Sequence, residues 1–440
     1  MKTNKKKKNL ELKTHEGAPA RRITPIQEFK RTLLSCLLFE NTFYENNISI
    51  SERLSDLIPQ IDIEQLKILT IQARNDFKLR HAPLFVAKEA LKIKNSKFGD
   101  IIAQIIQRPD ELSELLAMYW ADGKKPLAKQ LKIGLAKAFT KFDEYQLAKY
   151  NSMNREIKLR DVLFMCHAKP ISEEQAILWK RLINNTLATP DTWEVTLSSG
   201  ADKKATWERL IKENRLGALA FLRNLRNMSQ VGVERQLIKD GLLNLNVSKV
   251  LPFRFIAAAR HASAFEPELE KLMFKSIENY PKDDYQTIIL VDVSGSMDGA
   301  VSGNSEITRL EAACGIAMIA REIFVNSFIY TFSRDIVEIP PRRGFALADS
   351  IRNSQPHLGT YLGKAIKKIL EDHKDIKRLI VITDEQSHDP VPSQLGCAGY
   401  LINIAPYRYG VGYYGDWVHI DGFSEKTVDY IVEFEKENLN

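Results

Sequence analysis

Apolar residues recur at spacings of three and four through the first two thirds of the chain. Leu66, Leu69, Ala73 and Phe77 make one such stripe, and Leu112, Leu115, Leu116 and Tyr119 another, the period of helices that bury one face. From Pro25 to about Tyr280 this predicts helix after helix with few strands, a helical-repeat solenoid, although no fixed repeat length stands out. Near Pro281 the pattern changes. Thr287 to Val293 is a β-branched apolar run ending at Ser-Gly-Ser, followed by an amphipathic helix over Glu306 to Val325. Strands are then predicted at Phe328 to Phe332, Arg378 to Thr383 and Tyr400 to Ile404, with helices after Thr360 and from Ser424. Such alternation predicts a mainly parallel sheet covered on both faces. Residues 1–24 are polar and lysine-rich, so a mobile, solubilising arm is expected there.

A chain of 440 residues exceeds one comfortable hydrophobic core, and the change of pattern places the units at 25–280 and 281–440. The composition, 44% hydrophobic and 27% charged, is that of a globular protein. No apolar stretch approaches the ~20 residues a bilayer requires, and no apolar core follows the lysine-rich start as in a signal peptide. The expectation is a cytoplasmic protein without membrane contact. Cys36, Cys166, Cys314 and Cys397 lie too far apart for a disulfide framework and are expected as buried thiols. Cys166 and His167 are neighbours, but adjacent residues on a helix diverge, so they do not read as a nucleophile pair.

The net charge of +7 hides an asymmetry. Residues 281–440 carry 16 Lys+Arg against 23 Asp+Glu, leaving +14 on residues 1–280. A basic half suggests a nucleic-acid partner and equally fits a solvated lysine-rich surface.

In an open α/β sheet, ligands gather at the carboxyl ends of the strands. Three loops there carry oxygen donors: Asp292, Ser294 and Ser296 in an Asp-x-Ser-x-Ser string, Thr360 before a helix, and Asp384 after Thr383. Two carboxylates and three hydroxyls suit a hard divalent ion, with Mg²⁺ expected. Each string alone is an ordinary turn or cap signal; their order along the chain makes the pattern specific. It resembles the metal-ion-dependent adhesion site of the von Willebrand factor A family, except that Tyr361 stands where that family often has an aspartate. The resemblance implies a docking site whose open coordination position takes an acidic group from a partner. No histidine or general base lies within the motifs, so no enzyme is expected.

Lys125, Lys129 and Lys132 fall on one side of a helix predicted to start near Pro126, opposite Leu127, Leu131, Leu135, Ala138 and Phe142. Such a face attracts phosphates and is also common on plain soluble helices. Longer strings carry more: Phe39 to Glu45 (FENTFYE), Leu79 to Pro83 (LRHAP), Asp161 to Pro170 (DVLFMCHAKP), Thr192 to Val195 (TWEV) with Trp207-Glu208, Ala220 to Met228 (AFLRNLRNM) and Leu251 to Arg254 (LPFR). Together they resemble the TROVE domain of the Ro autoantigen family, which also places TROVE before a von Willebrand A domain.

The resemblance implies an α plus α/β architecture: a HEAT-like helical-repeat ring closed by a doubly wound, Rossmann-like A domain. It implies small noncoding Y RNA on the outer surface and single-stranded ends of misfolded RNA in a central hole. Its RNA-contacting positions fall on Lys149, Tyr150, His167 and Lys169, with Arg155 as the corresponding arginine in a segment that departs from the pattern. Read without it, His167 is a helix-terminal residue and Lys149 a surface lysine. Arg223, Arg226 and Arg254 read as helix-holding or hole-lining residues, and Trp193 and Trp207 as core. The expected protein is a monomeric ribonucleoprotein scaffold in RNA quality control, with an exoribonuclease or acidic protein as further partner. The alternative is a metal-dependent protein-interaction adaptor without an RNA function.

Overall fold

The computed structural model describes residues 13, 18–19, 21–22, 24–34 and 50–438, apart from 78, 152–154, 190–191, 199, 201, 249, 251, 281, 302–306, 406–408, 412–414 and 423–425. Cys36, the lysine run at 5–8 and the string at 39–45 lie outside these residues. Two compact units emerge: residues 49–216 with 227–238, and residues 1–48, 217–226 and 239–440.

The first unit is helical, and its predicted stripes turn inward. Leu112, Leu115, Leu116 and Tyr119 are all buried on the Pro109–Tyr119 helix, as are Leu66 and Ala73 on Ile63–Asn75. The latter helix stops at Asn75, before Phe77. Helices Gly99–Ile105 and Lys129–Phe139 approach closely at Gly134, where a Cβ would lie 2.5 Å from Ile102 Cβ and 2.8 Å from the Gly99 carbonyl oxygen. A buried ion pair joins two further helices: Arg74 Nη2 donates to Glu111 at 2.6 Å, while Arg74 Nε donates to the Ile105 carbonyl at 2.9 Å. Glu111 also accepts from the amides of Gln107 and Arg108, capping the helix it begins.

In the second unit the main sheet has strands β1 (Thr287–Asp292), β2 (Ser327–Phe332), β3 (Ile336–Glu338), β4 (Arg378–Thr383), β5 (Ala398–Asn403) and β6 (Trp417–Asp421). Their order is β3-β2-β1-β4-β5-β6, all parallel except β3 at one edge. Every residue of β1 and β4 is buried, which is why both strands are continuous apolar runs rather than alternating ones. The short edge strand β3 has no comparable signal in the sequence. From β1 the chain moves outward through β2 and β3, then crosses to β4 on the other side of β1. The crevice at the carboxyl ends of β1 and β4 is therefore where strand order reverses, the place such sheets use for ligands.

The helices Phe253–His261 and Glu266–Ser276 belong to this second unit, although the sequence pattern grouped them with the helical region. Packing explains it. Gly315 on helix Arg309–Ile323 leaves room for the Phe253 ring, which a Cβ there would meet at 2.6 Å. Glu270 accepts from the Phe345 amide at 2.8 Å. Among the described residues no helix is long and apolar enough to cross a membrane.

Candidate metal centre and nucleic-acid interface

At the carboxyl ends of β1 and β4 lie Asp292, Ser294, Ser296 and Asp384, and the loop that carries Thr360 joins them where the Gly295 amide donates to the Leu358 carbonyl at 2.9 Å. Asp292 and Asp384 are fully buried, Ser294 is buried, and Thr360 is 3% exposed. Asp292 Oδ1 accepts from the Ser294 amide at 2.9 Å, and Asp292 Oδ2 accepts from the Thr383 hydroxyl at 2.6 Å. The Ser294 and Ser296 hydroxyls lie 3.3 Å apart. Asp384 Oδ1 accepts from the Gln386 amide. Burial, and secondly the neighbouring Asp384 charge, push the Asp292 carboxyl up to about 7.

Two carboxylates deprived of water and repelling one another are what a divalent ion would neutralise. Among the described residues no three His, Cys, Asp or Glu side chains gather at metal-holding distance, so the set depends on its hydroxyls, a hard-oxygen composition that fits Mg²⁺. Asp292, Ser294, Ser296, Thr360 and Asp384 are the residues that would hold it, and the ion would supply positive charge to an acidic group.

The loop carrying Thr360 is braced by side chains. The Tyr361 ring stacks on His388 with centroids 5.1 Å apart, and His388 Nδ1 sits 3.2 Å from the Thr360 amide nitrogen. Tyr361 thus supports this loop through its ring rather than through a carboxylate. Asp389 caps the helix Leu362–Asp372 through the amides of Gly363 and Lys364.

One residue of this centre escaped sequence reasoning. Arg309, 1% exposed, donates from Nη1 to the Ser296 carbonyl at 2.9 Å and lies 3.6 Å from Asp384 Oδ2. A signal existed. Arg309 follows the Thr308 N-cap, and a cation in the first turn faces the positive end of the helix dipole. That placement is favourable only with a nearby anion.

In the helical unit, three predicted residues share one cavity of about 450 Å³: Lys129, Lys132 and His167, together with Leu127, Ile133, Ala136 and Cys166. Lys129 and Lys132 lie one turn apart at the start of the Lys129–Phe139 helix. His167 is the left-handed C-cap of the Leu159–Cys166 helix, φ 55°, so its ring leaves the helix while Cys166 stays buried. Burial also pushes the Cys166 thiol up, unlike a reactive nucleophile.

The other predicted positions do not line that cavity. The helix begins at Lys129 rather than near Pro126, because Trp120 Nε1 and the Tyr119 hydroxyl take the Lys125 and Pro126 carbonyls at 2.8 and 3.0 Å. Lys125 therefore sits in the preceding loop, its Nζ 4.6 Å from the Tyr119 ring centroid. Lys149 is exposed, and Tyr150 is half-buried beneath the Arg108 guanidinium at 4.8 Å. Arg155 faces carboxylates, 3.7 Å from Asp110 and 3.8 Å from Glu114. Lys169 is exposed. Trp207 is buried, and Trp193 stacks on it at 5.7 Å.

Residues 180–298 match the TROVE domain family, a span that includes the strings at Thr192, Ala220 and Leu251 and also Asp292, Ser294 and Ser296. Over 89 residues the chain is 34% identical to Telomerase protein component 1 of Mus musculus and 33% identical to that of Rattus norvegicus. These stretches cover 19% of this chain but only 3% of each relative. In fold the chain is similar to the Deinococcus radiodurans Ro (RSR) protein, with a TM-score of 0.61 and 17% identity over 93% of this chain and 99% of that one. The match thus marks residues 180–298 as a TROVE domain, and the likeness in fold to the Ro (RSR) protein extends over 93% of the chain.

Proposed function

We propose that this protein is a Ro-type RNA-binding scaffold, taking a structured small RNA of the Y type on its lysine and histidine face. The observation that carries the reading is the cavity bounded by Lys129, Lys132 and His167, with no carboxylate among its described lining residues. Two ammonium groups one helical turn apart beside an imidazole attract phosphate and release its condensed counterions. Proteins that read RNA shape and unpaired segments, rather than duplex base edges, commonly use such open cationic surfaces. The reading extends to the family's second role, holding single-stranded ends of misfolded RNA for a nuclease, and there it rests on the resemblance alone. A cytoplasmic, non-enzymatic monomer is part of the same reading.

The crevice of Asp292 and Asp384 is, on this proposal, a Mg²⁺-dependent adhesion site of the von Willebrand A type that docks an acidic partner. Its supporting observation is the pair of buried carboxylates beside three hydroxyls. The test is RNA binding by the whole chain across salt concentrations. Affinity should fall steeply with salt, and Lys129→Ala with Lys132→Ala should make the logarithmic salt slope shallower by roughly 0.7–0.9 for each phosphate the protein ceases to neutralise. Absent or salt-insensitive binding overturns the RNA role. Asp292→Ala should abolish Mg²⁺ uptake in calorimetry while leaving RNA affinity nearly unchanged; loss of both would put the RNA on the metal crevice rather than on the lysine face.

A further inference from the structure

A second cavity, about 300 Å³, adjoins the first through a shared wall, His167. Its character is different. Phe164, Pro170, Trp179 and Ile183 make it largely apolar, and Lys180 supplies one further cation. Phe164 is 57% exposed on the Leu159–Cys166 helix, where an aromatic ring gains nothing from burial and would ordinarily be replaced by a polar residue. Trp179 is 4% exposed and packs edge-on against Phe139 at 5.5 Å. Among the described residues its buried indole N–H finds no acceptor, and such a donor is costly to leave unmet. His167 stands between the two cavities on a left-handed backbone that glycine would adopt with less strain. Neither cavity has an aspartate or glutamate among its described lining residues.

We infer that the two cavities form one site for a single unpaired nucleotide, a reading that rests on the RNA-binding proposal and adds to it the mode of recognition. The phosphate lies over Lys129 and Lys132. The base enters the neighbouring cavity against the exposed Phe164 ring, with His167 at the junction. Charge complementarity and a flat apolar slot, side by side, fit an anionic group joined to an aromatic heterocycle. A duplex cannot present this, since its bases are stacked inside; a bulged or terminal nucleotide can. Base-on-aromatic stacking tolerates any base, so the site selects for an unpaired nucleotide more than for its identity.

The test compares an RNA hairpin carrying one unpaired nucleotide with the same hairpin abasic at that position. Wild-type protein should bind the intact RNA about tenfold more tightly, the range that stacking provides. Phe164→Ala should bring the two affinities together and keep the salt dependence. Its exposure makes folding safe, which circular dichroism verifies. Lys129→Ala with Lys132→Ala should weaken both RNAs and keep their ratio. Equal wild-type binding of the two RNAs, with strong salt dependence retained, overturns the base cavity and leaves the RNA proposal standing. Absence of binding to either RNA by folded protein removes the RNA proposal itself. Displacement of bound RNA by an acidic peptide at matched concentration, together with indifference to the missing base, would make the groove a peptide site and also overturn the inference.

Discussion

The two candidate sites use charge in opposite ways. Beside His167, Lys129 is exposed and Lys132 half-exposed on one helix; at the ends of β1 and β4 the carboxylates of Asp292 and Asp384 are cut off from water. Exposed charge contributes little to folding and acts on a partner through a field that salt screens. Buried charge is bound to the fold, since each group must find its counter-charge inside the protein or stay neutral. Substitutions should accordingly separate cleanly, with stability changing at one site and affinity at the other.

The largest effect is expected at Arg309. Arg309→Met removes the buried guanidinium 3.6 Å from Asp384 and leaves the carboxylates without it, at a cost of about 3–5 kcal/mol in urea unfolding without added metal. Saturating Mg²⁺ should recover part of that loss. A change below about 1 kcal/mol would show that this charge behaves like a surface one, and the contrast would fail.

The Asp292 carboxyl sharpens the same contrast through pH. Its folded value of about 7 lies above the ordinary 3.8, so the folded state holds the proton more firmly than the unfolded chain. Metal-free stability from this group is thus fully present below about pH 4 and is lost as pH rises through about 7. Binding of a divalent ion requires the deprotonated form. Mg²⁺ should therefore raise Tm more at about pH 8 than at about pH 5 in differential scanning fluorimetry; an equal rise at both would disconnect the ion from Asp292.

This division also explains what could be read from the sequence. The parallel sheet was legible because β1 and β4 are buried on both faces and hence unbroken apolar runs, and the strings at their ends named five oxygen donors. Arg309 was not picked out, since its signal, a cation at the positive end of a helix, is weak and names no partner until the fold is known. On the helical side, Leu131, Leu135 and Ala138 announced their buried stripe, yet the helix start was misplaced because the carbonyls of Lys125 and Pro126 are claimed by Trp120 and Tyr119. Phe164 and Trp179 look like core residues on periodicity alone, and only their contrasting exposure, 57% and 4%, separates them. Long-range packing such as that of Phe253 against Gly315 leaves no local pattern, which is why the contact between the helices at 253–276 and the helix Arg309–Ile323 is invisible in the sequence.

A smaller effect tests whether the exposed site depends on packing beneath it. Gly134→Ala would bring a Cβ within 2.5 Å of Ile102 Cβ and 2.8 Å of backbone, an overpacking cost of about 1–3 kcal/mol. The helix that must shift carries Lys129 and Lys132, so RNA affinity should fall as well. Unchanged affinity in a destabilised variant would mean that the lysines act as loosely placed charges.

The smallest effects distinguish two residues that the sequence treated alike. Lys149 is exposed with its Nζ 5.9 Å from the Tyr150 ring, whereas Arg155 lies 3.7 Å from Asp110 and 3.8 Å from Glu114. Lys149→Ala should leave unfolding within about 0.5 kcal/mol of wild type and reduce RNA affinity together with its salt slope. Arg155→Ala should do the reverse, lowering stability by up to about 1 kcal/mol as a half-exposed pair is removed, with RNA affinity nearly constant. Both residues are cations at positions a family pattern would assign to RNA, so identical responses would show that their carboxylate surroundings do not decide their use. If Arg155→Ala alone weakens RNA binding, its guanidinium must leave Asp110 and Glu114 for phosphate on binding, and the free-state geometry would then mark a latent RNA ligand rather than a structural brace.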